Sequence, residues 1–233
     1  MAEFSGKTVL ITGAAGNLGR AVADGFGKAG AQLALLDRDV ARLESVYGAA
    51  NGRFYAGADL MNADDVARAV NGAVQRFGRL DVVANIAGGF AMGPPLHETP
   101  VETWDLMMNL NARSVFYACR AALPHMLRGG GAIINIAARA AREGKARMGP
   151  YCASKAAVIT LTETLAAEHR HAGVRVNCIL PGTIDTPENR RDMPDADFSK
   201  WVAPAALAGV ILFLASDGAR AISGAAVPVF GES

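Results

Sequence analysis

The 233-residue chain is 51% hydrophobic and carries 23 basic against 22 acidic side chains, a formal net charge of +1. So balanced a surface supplies no field for a phosphate backbone, and no uninterrupted apolar run reaches the roughly 18 residues that a membrane span needs, so neither nucleic acid nor membrane is expected as a partner. Three scattered cysteines, Cys119, Cys152 and Cys178, lack metal-ligand spacing and suit a reducing compartment; with an N-terminal "MAEFSGK" that holds no apolar signal region, they lead to the expectation of a cytoplasmic protein without a bound metal.

Seven short, apolar, β-rich runs alternate with helical patterns along the chain. "KTVLIT" passes through "GAAGNLG" into a helical stretch over about 19–29, and "QLALLD" precedes one over 39–49. "RFYAGAD" leads to 62–77, "LDVVANIAG" to 101–128, and "GAIINIA" to 150–171. "VRVNCILPG" leads to 203–215, and "AAVPVF" closes the series. The runs are nearly continuous in hydrophobicity, as parallel strands covered on both faces are. Strict alternation of strand and helix implies right-handed crossovers and an α/β fold, a doubly wound parallel sheet of about seven strands in three layers. With no repeat and no linker, residues 1–233 read as one domain. Irregular segments at 88–100, 138–150 and 182–201 leave the carboxyl ends of strands four to six, where open α/β sheets bind ligands.

The turn "TGAAGNLG" places Gly13, Gly16 and Gly19 where small residues let backbone amides and the next helix N-terminus approach a diphosphate; Asn17 stands where a common form of the turn has glycine, and Leu18 follows it. Asp37 closes the second strand 24 residues after Gly13, placed to accept hydrogen bonds from an adenosine ribose and to repel a 2'-phosphate. That favours NAD over NADP, a preference that the neighbouring Arg38 moderates. Asp59, in "GADL" after the third strand, caps the next helix or hydrogen-bonds the adenine, with Leu60 beside it as a further cofactor contact. Tyr151 and Lys155 of "YCASK" lie four apart, so one helical face presents both, and an ammonium beside a phenol lowers the phenol's pKa and can hold a ribose hydroxyl.

With "TGAAGNLG", Asp37, "ADL", "NIAG" (Asn85 to Gly88), the asparagine after "WDLMMNL", "YCASK" and "PGTIDT", the chain resembles the short-chain dehydrogenase/reductase family over essentially its whole length. The resemblance implies a Rossmann-type fold and hydride transfer with a nicotinamide cofactor, NADH preferred. Tyr151 would be the acid/base, Lys155 the ribose-orienting group, and Asn111, favoured over Asn109 by alignment on Trp104, the holder of a water linked to Lys155. It further implies cofactor contacts from Asn85, Ala87 and Gly88 and from Pro181, Gly182, Ile184 and Thr186, with Thr183 in the same segment. Small-molecule substrates are the implied partners, and helices at 111–128 and 150–171 the implied interface of a homodimer or homotetramer.

One position departs from the family pattern. Ala138 stands 13 residues before Tyr151, where the family has a serine that hydrogen-bonds the substrate carbonyl, and no serine or threonine occurs between Ala132 and Tyr151. Losing a donor aimed at a developing oxyanion typically costs about 10²–10³ in rate. A small or planar substrate that builds no alkoxide would not need it. The short loop "PGTIDTPENRRDMPDADFSKW" and the glycine spacing are locally similar to quinonoid dihydropteridine reductases, which gives an alternative enzyme reading; a non-catalytic nicotinamide-binding sensor is the alternative from another class. Ala138, Arg139, Thr183 and Met193 are the expected lining of the substrate side. The surrounding cations Arg142, Lys145, Arg147, Arg190 and Arg191 read as a solvated charged loop, with an anionic substrate as the other possibility.

Overall fold

The computed structural model describes residues 2–232. Its strands are β1 (Thr8–Thr12), β2 (Gln32–Asp37), β3 (Arg53–Gly57), β4 (Val82–Asn85), β5 (Gly131–Ile136), β6 (Val174–Pro181) and β7 (Ala226–Val229). All pair in parallel, in the order β3-β2-β1-β4-β5-β6-β7. The helices are α1 (Asn17–Lys28), α2 (Val40–Tyr47), α3 (Ala63–Phe77), α4 (Val101–Met107), α5 (Ser114–Met126), α6 (Gly149–His169), α7 (Pro187–Asp192) and α8 (Pro204–Ala215).

Because side chains alternate along a strand, each apolar run feeds two cores. In β1, Leu10 joins the core under α3, α5 and α6, while Val9 and Ile11 face α1 and α8. The same split divides Val83 from Val82 and Ala84 in β4, and Ile133 from Ala132 and Ile134 in β5. Phe26 of α1 and Ile211 of α8 are fully buried on one side, Val70 of α3 and Val158 of α6 on the other. Winding runs outward in both directions from the β1–β4 pair, which leaves a crevice beyond the carboxyl ends of those two strands.

The stretch over 101–128 is not one regular helix. Between α4 and α5 the backbone widens into a π-helical turn over Met108–Arg113, and Ser114 Oγ donates back to the Leu110 carbonyl at 2.7 Å. Such a turn displaces the side chains on either side of it from regular α phase, a distortion invisible to residue periodicity and frequent at functional sites. The loop over 182–201 is also more ordered than its composition implies. It holds α7, a 3₁₀ turn at Phe198–Lys200 and a parallel bridge between Ile184 and Val202.

Candidate active site

The glycine turn after β1 is built by exclusion. Gly13 has φ +64°, and a Cβ there would meet Ala87 Cα at 2.9 Å. A Cβ on Gly19 would stand 2.2 Å from the Gly13 carbonyl oxygen, so only glycine lets α1 start this close to the turn. Gly16 is merely tight, with the same oxygen at 3.3 Å. Asn17 is the first residue of α1 and meets no such crowding, because its side chain leaves the turn and donates from Nδ2 to Glu188 Oε2 at 2.7 Å. Side chains of Asp39, Asn62 and Thr186 cap α2, α3 and α7, but Gly16 gives α1 no side-chain cap and its first turn holds no acid. Uncapped N–H groups at a helix start are a ready anion cradle.

The β2 end braces this turn from behind. Asp37 Oδ2 accepts from Ala15 N at 3.0 Å and Oδ1 from Arg38 N at 2.9 Å, while Tyr47 of α2 donates its hydroxyl to the Ala14 carbonyl at 2.6 Å. Burial pushes the Tyr47 phenol above its ordinary range, and it stays a donor. From across the switch point, Thr12 Oγ1 accepts from Ala87 N at 3.2 Å.

A cleft of about 430 Å³ opens over these groups. Gly13, Gly16, Asn17, Leu18 and Gly19 form one wall, and Asp37, Arg38, Asp59 and Leu60 the nucleoside-sized end. Ala87 and Gly88 form the floor, and Thr186 closes the far side. Asp59 Oδ1 accepts from Met61 N, and Asn62 rather than Asp59 caps α3. Sequence reading missed Arg42, Met61, Ile86, Leu106 and Leu110 as lining residues. Arg42 was findable, since it sits in the first turn of the helix after Asp37 and four residues beyond Arg38. Leu106 and Leu110 were not: Leu106 lies in α4 with no motif to mark it, and Leu110 lies in the π turn, where regular helical spacing does not apply.

The Asn85 side chain stands apart from the residues that line the cleft. It is buried in the sheet, donating to Asn135 Oδ1 at 2.8 Å and Cys119 Sγ at 3.5 Å, and it faces the core rather than the cleft. Asn135 passes the chain on to Thr162 Oγ1 at 2.9 Å. The two asparagines stand opposite each other in the β4–β5 register, and their bond leaves Asn85 Oδ1 buried without a hydrogen-bond partner among the described residues. Pro181, Gly182 and Ile184 are likewise engaged in backbone pairing: Gly182 N donates to Val229 O at 3.0 Å, and Ile184 bridges Val202. Thr183 accepts from Val202 N, and Met193, at the end of α7, is exposed.

Beside the cleft floor lies a polar cluster. Asn111 is fully buried; Oδ1 accepts from Gly89 N at 2.9 Å, and Nδ2 donates to Gly89 O and Ser154 Oγ, both at 3.0 Å. Ser154 Oγ in turn donates to the Tyr151 carbonyl at 2.8 Å, joining the π turn to the first turns of α6. Lys155 is 4% exposed and donates to the Ile136 carbonyl at 2.8 Å. A Cβ on Gly88 would lie 2.8 Å from Asn111 Oδ1 and 3.1 Å from Lys155 Nζ, so the missing side chain is what brings the cleft floor against both groups.

The electrostatics depart from the expectation drawn from a four-residue spacing. Burial pulls Lys155 down to about 8, opposed by the nearby Cys178 thiol. Burial pushes Tyr151 up to about 12, with Cys152 adding to the rise. Desolvation outweighs the ammonium as the influence on the phenol, so Tyr151 is neutral at physiological pH. Its ring packs nearly perpendicular to that of Phe90, with 5.0 Å between centroids, and Phe90 is 60% exposed.

Ala138 is buried in extended backbone at the end of β5. The basic side chains after it do not converge on the cleft: Arg139 stacks over Phe230 and Arg142 donates to the Ala226 carbonyl. Arg147, with φ +66°, donates from Nε to the Gly93 carbonyl while Gly93 N donates to the Arg147 carbonyl, a reciprocal pair joining the loops after β4 and β5. Among the described residues no cluster of His, Cys, Asp and Glu could hold a metal, and no helix is long and apolar enough to cross a membrane.

The family profile for short chain dehydrogenases matches residues 7–197. L-fucose dehydrogenase of Oryctolagus cuniculus is 38% identical over 186 residues, 80% of this chain and 66% of that protein, so the chain spans just under two thirds of that relative's length. 2-(R)-hydroxypropyl-CoM dehydrogenase of Xanthobacter autotrophicus is 35% identical over 97% of both chains. The solved structure of a short-chain type dehydrogenase/reductase from Mycobacterium ulcerans superposes with a TM-score of 0.93 at 30% identity, covering 99% of this chain and 90% of that one.

Proposed function

The chain belongs to the short-chain dehydrogenase family, oxidoreductases that use a nicotinamide cofactor, and on that premise we propose that it transfers a hydride between NAD(H) and a small or planar substrate with Tyr151 as the acid/base. The observation that carries this reading is the buried cluster of Asn111, Ser154 and Lys155 against Gly88, where a cleft fit for a dinucleotide meets a face of α6 that also bears Tyr151. A buried lysine without a carboxylate partner opposes folding, and function is the reason to keep one.

The residues fit the cofactor. The uncapped start of α1 and the room kept by Gly13 and Gly19 suit a diphosphate, and Asp37 has lone pairs left for ribose hydroxyls. When bound, the nicotinamide supplies the hydride chemistry. Lys155 spends one of its three ammonium hydrogens on Ile136, which leaves two for a ribose hydroxyl. Tyr151, neutral as it stands, donates its phenolic proton from Oη to the substrate atom in reduction and recovers one in oxidation. Asn111 fixes the π turn against α6 and so sets where Lys155 and Tyr151 stand. Asp37 supports a preference for NADH, and Arg38 and Arg42 at the same end keep that preference from being strict.

Ala138 supplies no hydroxyl at the end of β5, so we place ordinary ketones, which need a donor as alkoxide charge develops, among the slower substrates. The exposed Phe90 ring, packed nearly perpendicular to Tyr151, supports a planar or apolar group at the mouth. The pteridine alternative gains nothing from the relatives, which are named for L-fucose and 2-(R)-hydroxypropyl-CoM, and is not carried further. The buried Lys155 argues against the sensor alternative, because binding alone does not call for a desolvated ammonium beside a tyrosine. The test is a panel of secondary alcohols, diols, ketones and quinones run with NADH or NAD⁺ and with NADPH or NADP⁺. On whichever substrate turns over, Tyr151→Phe is expected to lower kcat at least 10²-fold with little change in cofactor affinity. Undiminished turnover in that variant removes Tyr151 from the chemistry.

A further inference from the structure

We propose that Asn17 and Glu188 form a latch between the phosphate turn and the loop after β6, and that opening this latch sets the rate at which the cofactor leaves. The proposal rests on the cofactor reading above and concerns side chains with no part in the hydride step.

Asn17 Nδ2 and Glu188 Oε2 are 2.7 Å apart, although the residues are separated by 171 positions. Asn17 begins α1, at the uncapped N-terminus that suits a diphosphate, and it lines the cleft. Glu188 lies in the first turn of α7, two residues after Thr186, which lines the same cleft. The hydrogen bond therefore ties the glycine turn to the segment after β6 beside two residues that line the cleft. An ordinary turn glycine at position 17 could not make it, which gives the side chain at this position a purpose.

The lid side of the latch is stiff. Thr186 Oγ1 accepts from Asn189 N, and Asn189 Nδ2 donates to the Ile184 carbonyl at 2.8 Å. Arg190 holds Asp185 through two bonds of 2.5 and 2.7 Å and stacks its guanidinium 4.8 Å from the centre of the Phe198 ring. Asp185 N and Val202 N continue the pairing with Val202 O and Thr183 O. These contacts hold α7 and its flanks together as one piece. Among the described residues the Asn17–Glu188 bond is its only hydrogen bond or ion pair to the glycine turn.

The partner is a carboxylate, and its own backbone N–H together with the Asn17 amide keeps it below the usual carboxylate range. An anion beside a cradle for another anion weakens binding by repulsion, so affinity does not explain Glu188. A charge-assisted bond that closes the cleft, and whose carboxylate favours departure once the bond opens, does explain it.

The experiment is stopped-flow displacement of NADH (or NADPH, if that is the form bound) by excess oxidised cofactor, followed by nicotinamide fluorescence. Asn17→Ala and Glu188→Ala are each expected to raise the release rate about fivefold, as befits one charge-assisted hydrogen bond, and the double variant to be no faster than either single one. Glu188→Gln keeps an acceptor for Asn17 and is expected to return release to within about twofold of the parent while tightening affinity. Unchanged release in the single variants, or multiplied effects in the double variant, overturns the latch and leaves the cofactor reading standing. If the parent protein gives no fluorescence change with either reduced cofactor, the cofactor reading falls and the latch with it.

Discussion

Replacing Lys155 by methionine should abolish turnover and yet stabilise the cofactor-free protein at neutral pH. The side chain is 4% exposed, and its single hydrogen bond among the described residues goes to the Ile136 carbonyl. Burial lowers its pKa from 10.5 to about 8. The unfolded chain keeps this proton up to pH 10.5, whereas the folded chain gives it up near 8. Between those values the unfolded state binds more protons, so stability rises with pH; the lysine's penalty is whole below pH 8 and gone above 10.5. A gap of about 2.5 pKa units corresponds to roughly 3 kcal/mol. Orphaning the Ile136 carbonyl gives back about 1 kcal/mol, so the methionine variant should be about 2 kcal/mol more stable at pH 7. Urea unfolding of both proteins at steps from pH 7 to 10.5 measures this, and the difference between them cancels the cysteines and tyrosines they share. The variant's advantage should shrink across the window and turn into a disadvantage of up to about 1 kcal/mol at its top, where only the lost bond to Ile136 remains. A pH-independent difference, or a methionine variant less stable at pH 7, would refute an uncompensated ammonium at this site.

Further perturbations address the neighbours. Gly88→Ala would put a methyl 2.8 Å from Asn111 Oδ1, displacing that amide from Gly89; urea unfolding should register a loss of about 1–3 kcal/mol and steady-state assays at least a tenfold drop in kcat/KM. Phe90→Ala removes the exposed edge partner of Tyr151, so KM for aromatic substrates should rise about fivefold while small aliphatic ones are unaffected. Asp37→Ala leaves Ala15 N without its acceptor and the ribose end without its carboxylate; the ratio of NADH to NADPH efficiency should fall about tenfold or more.

The seven parallel strands and their doubly wound, three-layer arrangement were legible because buried parallel strands announce themselves as unbroken apolar runs, and a crossover helix must follow each. The cleft was legible in part for the same reason: Gly13, Asp37 and Gly88 terminate or follow β1, β2 and β4 at the switch point. What escaped depended on contacts without a local signature. The π turn arises from where Asn111 must reach, and Asn85 turned inward because Asn135 stands opposite it in β5. Tyr151 and Lys155 were singled out by spacing and family resemblance, but their charge states follow from burial, which spacing does not encode. Asn17, conspicuous as a misplaced polar residue in a glycine turn, acquired a reason only when Glu188 stood beside it.

The reciprocal bonds between Gly93 and Arg147 couple two segments that would otherwise vary independently. Arg147 keeps a left-handed backbone without being glycine, at a cost of about 1 kcal/mol or more, and that conformation accompanies its place in the pair. For anyone reshaping substrate choice by loop grafting, the unit of exchange is therefore not one loop but both. A transplanted 88–100 segment without its 138–150 counterpart would arrive with a carbonyl and an amide facing nothing, and a newcomer at position 147 would inherit a strained backbone with no contact to justify it.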